Sequence, residues 1–399
     1  MLSIDAARLQ IAEQVLPLPP VTLPLGELRG RVLREPLVAS EDFPGFDRSA
    51  MDGYAICAED PSASYTVVGE VRPGSLPDFE IFPGQCARIF TGGALPKGAS
   101  QVVMQEDVSR EGDLITVRVR TGARHVRRRG EDARVGDELL GAGRRIGASE
   151  AALLAQMGRM HALVSPAPRV IHWVTGDELV PPGQDPKPGQ IRDSNSTLVA
   201  GMLADAGARL VAQRHSPDSL EALVSGIQTV PPADWDLLLI SGGASVGDYD
   251  FGLRALRELG FTLHFHALNV RPGKPLVFAT RGAQVAFVLP GNPASHFVVF
   301  HLAVRAALEC LEGAPLSWPL VELPLASDFD AVGGARTTFW PARASVGESG
   351  LRVSPLKWQS SGDLFGLRGG NALILCGSGG EPAKKAGVPV KCLLLDWRQ

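Results

Sequence analysis

The 399-residue sequence carries 39 Lys and Arg against 43 Asp and Glu, a formal charge of −4, with 45% hydrophobic residues. A chain of that length holds several domains and buries their cores without metal or disulfide staples, and its mild acidity argues against nucleic acid as a partner. Cys57, Cys86, Cys310, Cys376 and Cys392 are odd in number and form no Cys-x-x-Cys pair, which disfavours a disulfide scaffold and a zinc ribbon.

At the start of the chain, Asp5, Arg8 and Glu13 give an amphipathic pattern rather than the basic-then-apolar order of a secretion signal. Nowhere do about 18 uninterrupted apolar residues occur, so no membrane span is expected. A cytoplasmic protein follows as the expectation. Helical periodicity marks residues 1–40 and 144–164, predicting a helical linking domain made of 1–40 plus 141–164. Between them, short β-like runs at 65–68, 86–90, 102–104 and 114–119 are separated by Gly and Pro, predicting an inserted β-rich domain over 41–140.

From Pro168 the pattern alternates. Strand-like runs at 169–174, 209–212 and 236–240 are interleaved with helical stretches at 194–206, 218–227 and 251–259. This predicts an α/β domain with a mostly parallel sheet over 165–314. After residue 315, runs at 337–340, 351–353, 372–375 and 388–395 predict a C-terminal β domain over 315–399. The fold class is therefore α/β multidomain.

In open parallel sheets ligands bind beyond the carboxyl ends of the strands. The residues there are Thr175-Gly-Asp-Glu, Ser241-Gly-Gly-Ala-Ser-Val-Gly-Asp-Tyr-Asp and Pro290-Gly-Asn-Pro-Ala-Ser. Each is small residues plus an acid or amide. Glycines let backbone N–H groups converge on an anion, and a helix N-terminus adds partial positive charge. A carboxylate beside a phosphate holds a cation, with Mg²⁺ the usual partner of oxygen ligands.

Arg271 and Lys274 flank a Pro-Gly turn, which is either solvated or an oxyanion seat. The same two readings apply to Arg124, Arg127, Arg128 and Arg129, which precede Glu131 and Asp132. In the inserted segment Asp47 and Asp52 stand among small residues, and Thr91 heads a Gly-rich turn. His264 and His266 alternate on a strand-like run and are not read as metal ligands.

The segments PGFDRSAMDGYA, RIFTGGALPKGA, VRRRGED, TGDEL, IRDSN, SGGASVGDYD, RPGKP and LPGNPAS, in that order from residue 44 to 295, resemble the molybdopterin molybdenumtransferases, that is, bacterial MoeA and the gephyrin E domain. The resemblance implies a central MogA-like α/β domain. It also implies insertion of molybdate into adenylylated molybdopterin, with release of AMP and a requirement for Mg²⁺. A homodimer with its site between subunits is implied too, with the adenylyltransferase that supplies the substrate and cofactor-accepting enzymes as further partners.

Carried onto this sequence, the resemblance makes Asp52, Thr91, Asp132, Glu178 and Asp250 catalytic, with Asp250 and Glu178 on the metal. Gly242, Gly243, Ser245, Gly247, Asp248, Arg271, Lys274, Pro290, Gly291, Asn292, Pro293 and Ser361 would bind the ligands. Ser245 has no accompanying His in its motif and is read as part of a backbone cradle, not as a nucleophile. Three positions depart from the family pattern: Ser216 stands in place of a carboxylate with Asp218 displaced by two, Arg271 replaces Lys, and Pro341 replaces an Arg. The alternatives are a molybdopterin adenylyltransferase, which uses the same α/β domain type, and a non-catalytic scaffold of the same fold.

Overall fold

The computed structural model describes residues 1–243, 251–330, 332–348 and 350–395. The chain divides into two compact units: residues 35–142 with 149–160 form one, and residues 1–34, 143–148 and 161–399 form the other.

In the inserted unit, alternating buried and exposed residues build a six-stranded sheet in the order 101–104, 53–56, 85–89, 64–71, 114–117 and 108–111. All its pairings are antiparallel except that of 64–71 with 85–89. The arginine cluster in this unit is neutralised. Arg127 pairs with Glu131 and Asp132, Arg128 with Asp47, and Arg129 with Asp42 at 2.8 Å. These guanidiniums clip their own loop together, so the oxyanion reading of the run is set aside.

The expected helical linking segments are α-helical only over α1 (Ile4–Gln14) and α2 (Ala148–Gln156), with one 3₁₀ turn at Leu25–Glu27. Ser3 caps α1 by accepting the Ala6 N–H at 3.2 Å. Pro17, Pro19 and Pro20 then prevent its continuation, because each lacks an N–H to donate. The chain instead forms a strand over Val21–Pro24, paired antiparallel with His161–Val164.

The larger unit is centred on a six-stranded sheet of β1 (Arg169–Thr175), β2 (Arg209–Ser216), β3 (Leu237–Ser241), β4 (Thr262–Ala267), β5 (Pro275–Arg281) and β6 (Gln284–Leu289). Its order is β2-β1-β3-β6-β5-β4. The pairings β2-β1, β1-β3 and β3-β6 are parallel, whereas β6-β5 and β5-β4 are antiparallel, so the parallel part ends in an antiparallel edge. The helices are α3 (Asn195–Asp205), α4 (Leu220–Gln228), α5 (Phe251–Glu258), α6 (Pro293–Val299) and α7 (Arg305–Glu312). Alternate strand residues feed two cores. Ile171, Trp173, Leu238 and Ile240 pack with α4 and α5, while Val170, Leu237, Leu239 and Phe287 pack with α1, α3, α6 and α7.

The helical stretch Pro293–Glu312 is long and apolar enough to cross a bilayer by composition, but 83% of its most apolar window is buried inside the protein. That burial accounts for its apolarity. Beyond it, strands 320–324, 337–347, 350–355, 372–376 and 389–394 form a second sheet by antiparallel pairing. Val270–Arg271 joins this sheet in parallel with Thr337–Thr338. The pairing carries Arg271 from the α/β layer to the C-terminal strands.

Candidate functional site

The strand order reverses between β1 and β3, and a cavity of about 460 Å³ opens at the carboxyl end of the sheet there. Thr175 ends β1, Gly176 and Glu178 follow it, Asp218 follows β2, Gly242 and Gly243 follow β3, and Pro290 to Pro293 follow β6; all of them line it. Gly242 adopts φ +97, and a Cβ on it would lie 2.7 Å from Thr175 Oγ1. Only glycine lets the two loops approach so closely. Asp177 and Asp218 clasp each other, the Asp218 N–H donating to Asp177 Oδ1 at 3.1 Å.

Arg192, Asp193, Ser194 and Asn195 also line this cavity, although the sequence reading gave them no role. The IRDSN motif was their only signal. The Asn195 amide donates to the Gly291 carbonyl at 2.7 Å and so joins the start of α3 to the loop after β6. Ser216 is buried, and its hydroxyl has no partner among the described residues. A carboxylate there would be desolvated without compensation, and it is Asp218 that reaches the cavity.

A second cavity, of about 330 Å³, shares Pro275, Pro290 and Asn292 with the first. Its charged residues are Arg271, Lys274 and Arg336, all cations. Gly273, at φ +102, would place a Cβ 2.3 Å from Val299 Cγ1, so the turn that carries Lys274 lies hard against α6. The Arg271 guanidinium stacks 5.8 Å from the centroid of Trp358. Asn292 donates to Ser361 Oγ at 2.9 Å, which joins the two cavities through a side-chain bond.

Arg336 belongs to none of the motifs and so carried no signal in the sequence. Pro341 is buried within the strand 337–347, whereas Arg336, just before that strand, reaches the cavity.

In the inserted unit Asp52 Oδ1 accepts both the Thr91 N–H at 2.7 Å and the Thr91 hydroxyl at 2.8 Å. The backbone donor, followed by the hydroxyl, holds the Asp52 carboxyl below its ordinary range. Asp132 is engaged by Arg127. These three residues line neither cavity. Ser245, Gly247, Asp248 and Asp250 lie outside the described residues.

A glycine-lined cavity at the switch point of an open α/β sheet, adjoined by a cationic pocket, places the chain in the class of α/β proteins that bind ligands beyond the carboxyl ends of their strands. Residues 2–158 match the family model described as the MoeA N-terminal region (domain I and II), and residues 171–309 match that of a probable molybdopterin binding domain. The chain is 35% identical over 359 residues to a molybdopterin molybdenumtransferase of Nostoc sp., covering 87% of this chain and 82% of that protein. With one of Staphylococcus epidermidis it shares 29% identity over 406 residues, 99% of this chain and 96% of the relative. The crystal structure of a molybdopterin biosynthesis MoeA protein from Pyrococcus horikoshii superposes with a TM-score of 0.84 at 28% identity, covering 99% of this chain and 100% of that one. The chain belongs to the molybdopterin molybdenumtransferase family.

Proposed function

We propose that this protein inserts molybdate into adenylylated molybdopterin, releasing AMP and the finished molybdenum cofactor. The observation that carries the reading is the pair of adjoining cavities. One is lined by glycines and carboxylates, the other by three cations, and Pro275, Pro290 and Asn292 form their common wall. The first suits a phosphate-containing ligand approached by backbone N–H groups. The second suits a compact dianion, since Arg271, Lys274 and Arg336 can offset its charge. A shared wall brings the oxyanion beside the group that receives it, and positioning of this kind lowers the barrier without a covalent protein intermediate.

The acidic lining fits Mg²⁺: Glu178, Asp193 and Asp218 offer hard oxygen ligands, and among the described residues no His or Cys lines that cavity. Both Asp193 oxygens are already bound by the backbone N–H and hydroxyl of Ser196, so Glu178, together with the Asp218 oxygen not taken by the Asp177 N–H, would hold the ion. Among the described residues no group of three His, Cys, Asp or Glu forms a metal cage. One or two carboxylates completed by substrate phosphate is a common arrangement for Mg²⁺. When bound, the ion would neutralise phosphate charge. A homodimer is the proposed active form, with the adenylyltransferase and cofactor-accepting enzymes as its transient partners.

Equilibrium titration tests the two-pocket assignment. Wild-type protein should bind adenylylated molybdopterin and molybdate together, and Lys274→Ala should weaken molybdate several-fold with little change for the adenylylated ligand. A loss confined to the adenylylated ligand would overturn the assignment of the cationic pocket.

A further inference from the structure

On the sheet face covered by α3 and α6, four polar side chains form a chain of hydrogen bonds that runs from the exposed Gln213 through the buried His172 and Ser241, which lines the first cavity, to the buried His296. Gln213 Nε2 lies 2.9 Å from both the Ser196 carbonyl and His172 Nδ1. His172 Nε2 lies 2.6 Å from Ser241 Oγ, which lies 2.7 Å from His296 Nε2. His172 and His296 are fully buried and Ser241 is 1% exposed.

The directions of these bonds can be derived. Only the nitrogen of the Gln213 amide can face the Ser196 carbonyl, so Gln213 donates to His172 Nδ1 as well. His172 must then carry its proton on Nε2 and donate to Ser241. The Ser241 hydroxyl, having accepted there, donates to His296 Nε2. His296 is left with its proton on Nδ1, a buried donor that meets no hydrogen-bond partner among the described residues. Burial holds both imidazoles neutral, lowering their pKa to about 3 for His172 and about 4 for His296.

Every member stands at the root of a cavity loop. Gln213 lies on β2 before Ser216 and Asp218, and His172 on β1 before Thr175 and Glu178. Ser241 immediately precedes Gly242, and His296 follows Pro290 to Pro293 in the first turn of α6. We infer that Ser241, His172 and His296 are positioning residues: their hydrogen-bonded chain ties together the loops that line the ligand cavity and sets their relative register. An apolar set of side chains would fill the same core space at lower desolvation cost, but it would not fix direction across three strands and a helix.

Hydrogen–deuterium exchange of the full-length protein tests this directly. Ser241→Ala should raise exchange at least tenfold at Gly176–Glu178, Gly242–Gly243 and Gly291–Asn292 together. Leu239→Val, a core change on the same strand and face, should leave those stretches protected even where its melting temperature falls as far. Ser241→Thr, which restores the hydroxyl, should restore protection. His172→Gln keeps a donor toward Ser241 but loses the acceptor for Gln213, so it should loosen chiefly Ser216–Asp218, and it serves if Ser241→Ala does not fold.

A second arm rests on the function proposed above: Ser241→Ala should weaken binding of adenylylated molybdopterin at least tenfold, while Leu239→Val should not. If wild-type protein does not bind that ligand, the functional reading fails and the exchange comparison still decides the network. Unchanged exchange in Ser241→Ala, a rise confined to one loop, or an equal rise in Leu239→Val would overturn the inference.

Discussion

Acidification from pH 7.5 to 4.5 should destabilise the larger unit through its buried imidazoles. His172 and His296 are buried and neutral, with pKa values lowered to about 3 and about 4 against 6.5 when unfolded. Below pH 6.5 the unfolded chain therefore binds protons that the native state does not. The stability these groups confer is complete above the unfolded pKa and is lost as pH falls toward the folded values.

Each contributes roughly 1.4 kcal/mol per pH unit across that window, so the pair accounts for roughly 5 kcal/mol between pH 6.5 and 4.5. His264, lowered by partial burial, adds in the same direction. Asp42 and Asp52 have lowered pKa values and act in a separate window, below their ordinary 3.8. Urea unfolding followed by tryptophan fluorescence is the assay, because no tryptophan lies in the inserted unit. The pH slope should correspond to about two protons taken up per unfolding event, falling by about one in His296→Gln. A slope below one proton in the wild type would refute the buried, neutral network.

Gly273→Ala should cost about 1–3 kcal/mol, because the added Cβ meets Val299 at a strained φ; thermal denaturation measures it, and a change below 0.5 kcal/mol, about the scatter of surface substitutions, would contradict the packing. Glu178→Gln should preserve folding yet raise the Mg²⁺ concentration needed for half-maximal AMP release at least several-fold, since an amide lacks the charge that binds a hard cation. Unchanged Mg²⁺ dependence would remove Glu178 from the ion. Asp52→Ala and Thr91→Ala should each reduce AMP release while leaving molybdate binding to the larger unit intact, which paired activity and titration measurements check. If the active form is a homodimer, mixing inactive Asp52→Ala chains with inactive Asp250→Ala chains should restore part of the activity; no recovery after demonstrated chain exchange would count against cooperation between subunits.

The parallel part of the α/β layer was legible because its strands are short apolar runs separated by helical periodicity, and the three runs expected at 169–174, 209–212 and 236–240 start within two residues of the observed strands. The antiparallel edge of β4, β5 and β6 was not. A run buried on both faces reads the same in either direction, and only the short turn between β5 and β6 hints at a hairpin. Helical periodicity over 1–40 misled because Pro17, Pro19 and Pro20 decide where α1 stops, whatever the apolar spacing beyond them. Within the site, glycine-rich loops after strands announced themselves, and Glu178, Gly242 and Pro290 do share one cavity.

Two features required three-dimensional pairing. Arg336 enters the cationic pocket beside Val270, whose carbonyl it binds at 3.2 Å, 66 residues away in sequence. In the arginine run, Arg128 and Arg129 are paired with Asp47 and Asp42, more than 80 residues earlier, and are therefore unavailable as an anion seat.

The most direct measurement incubates purified protein with adenylylated molybdopterin, Mg²⁺ and graded molybdate, following AMP and molybdenum cofactor in the same samples. AMP and finished cofactor should appear in equal amounts, with a rate that saturates in molybdate and rises to a higher half-saturation point in Lys274→Ala. AMP release indifferent to molybdate, or activity only with ATP and free molybdopterin, would contradict molybdate insertion as the reaction of this site.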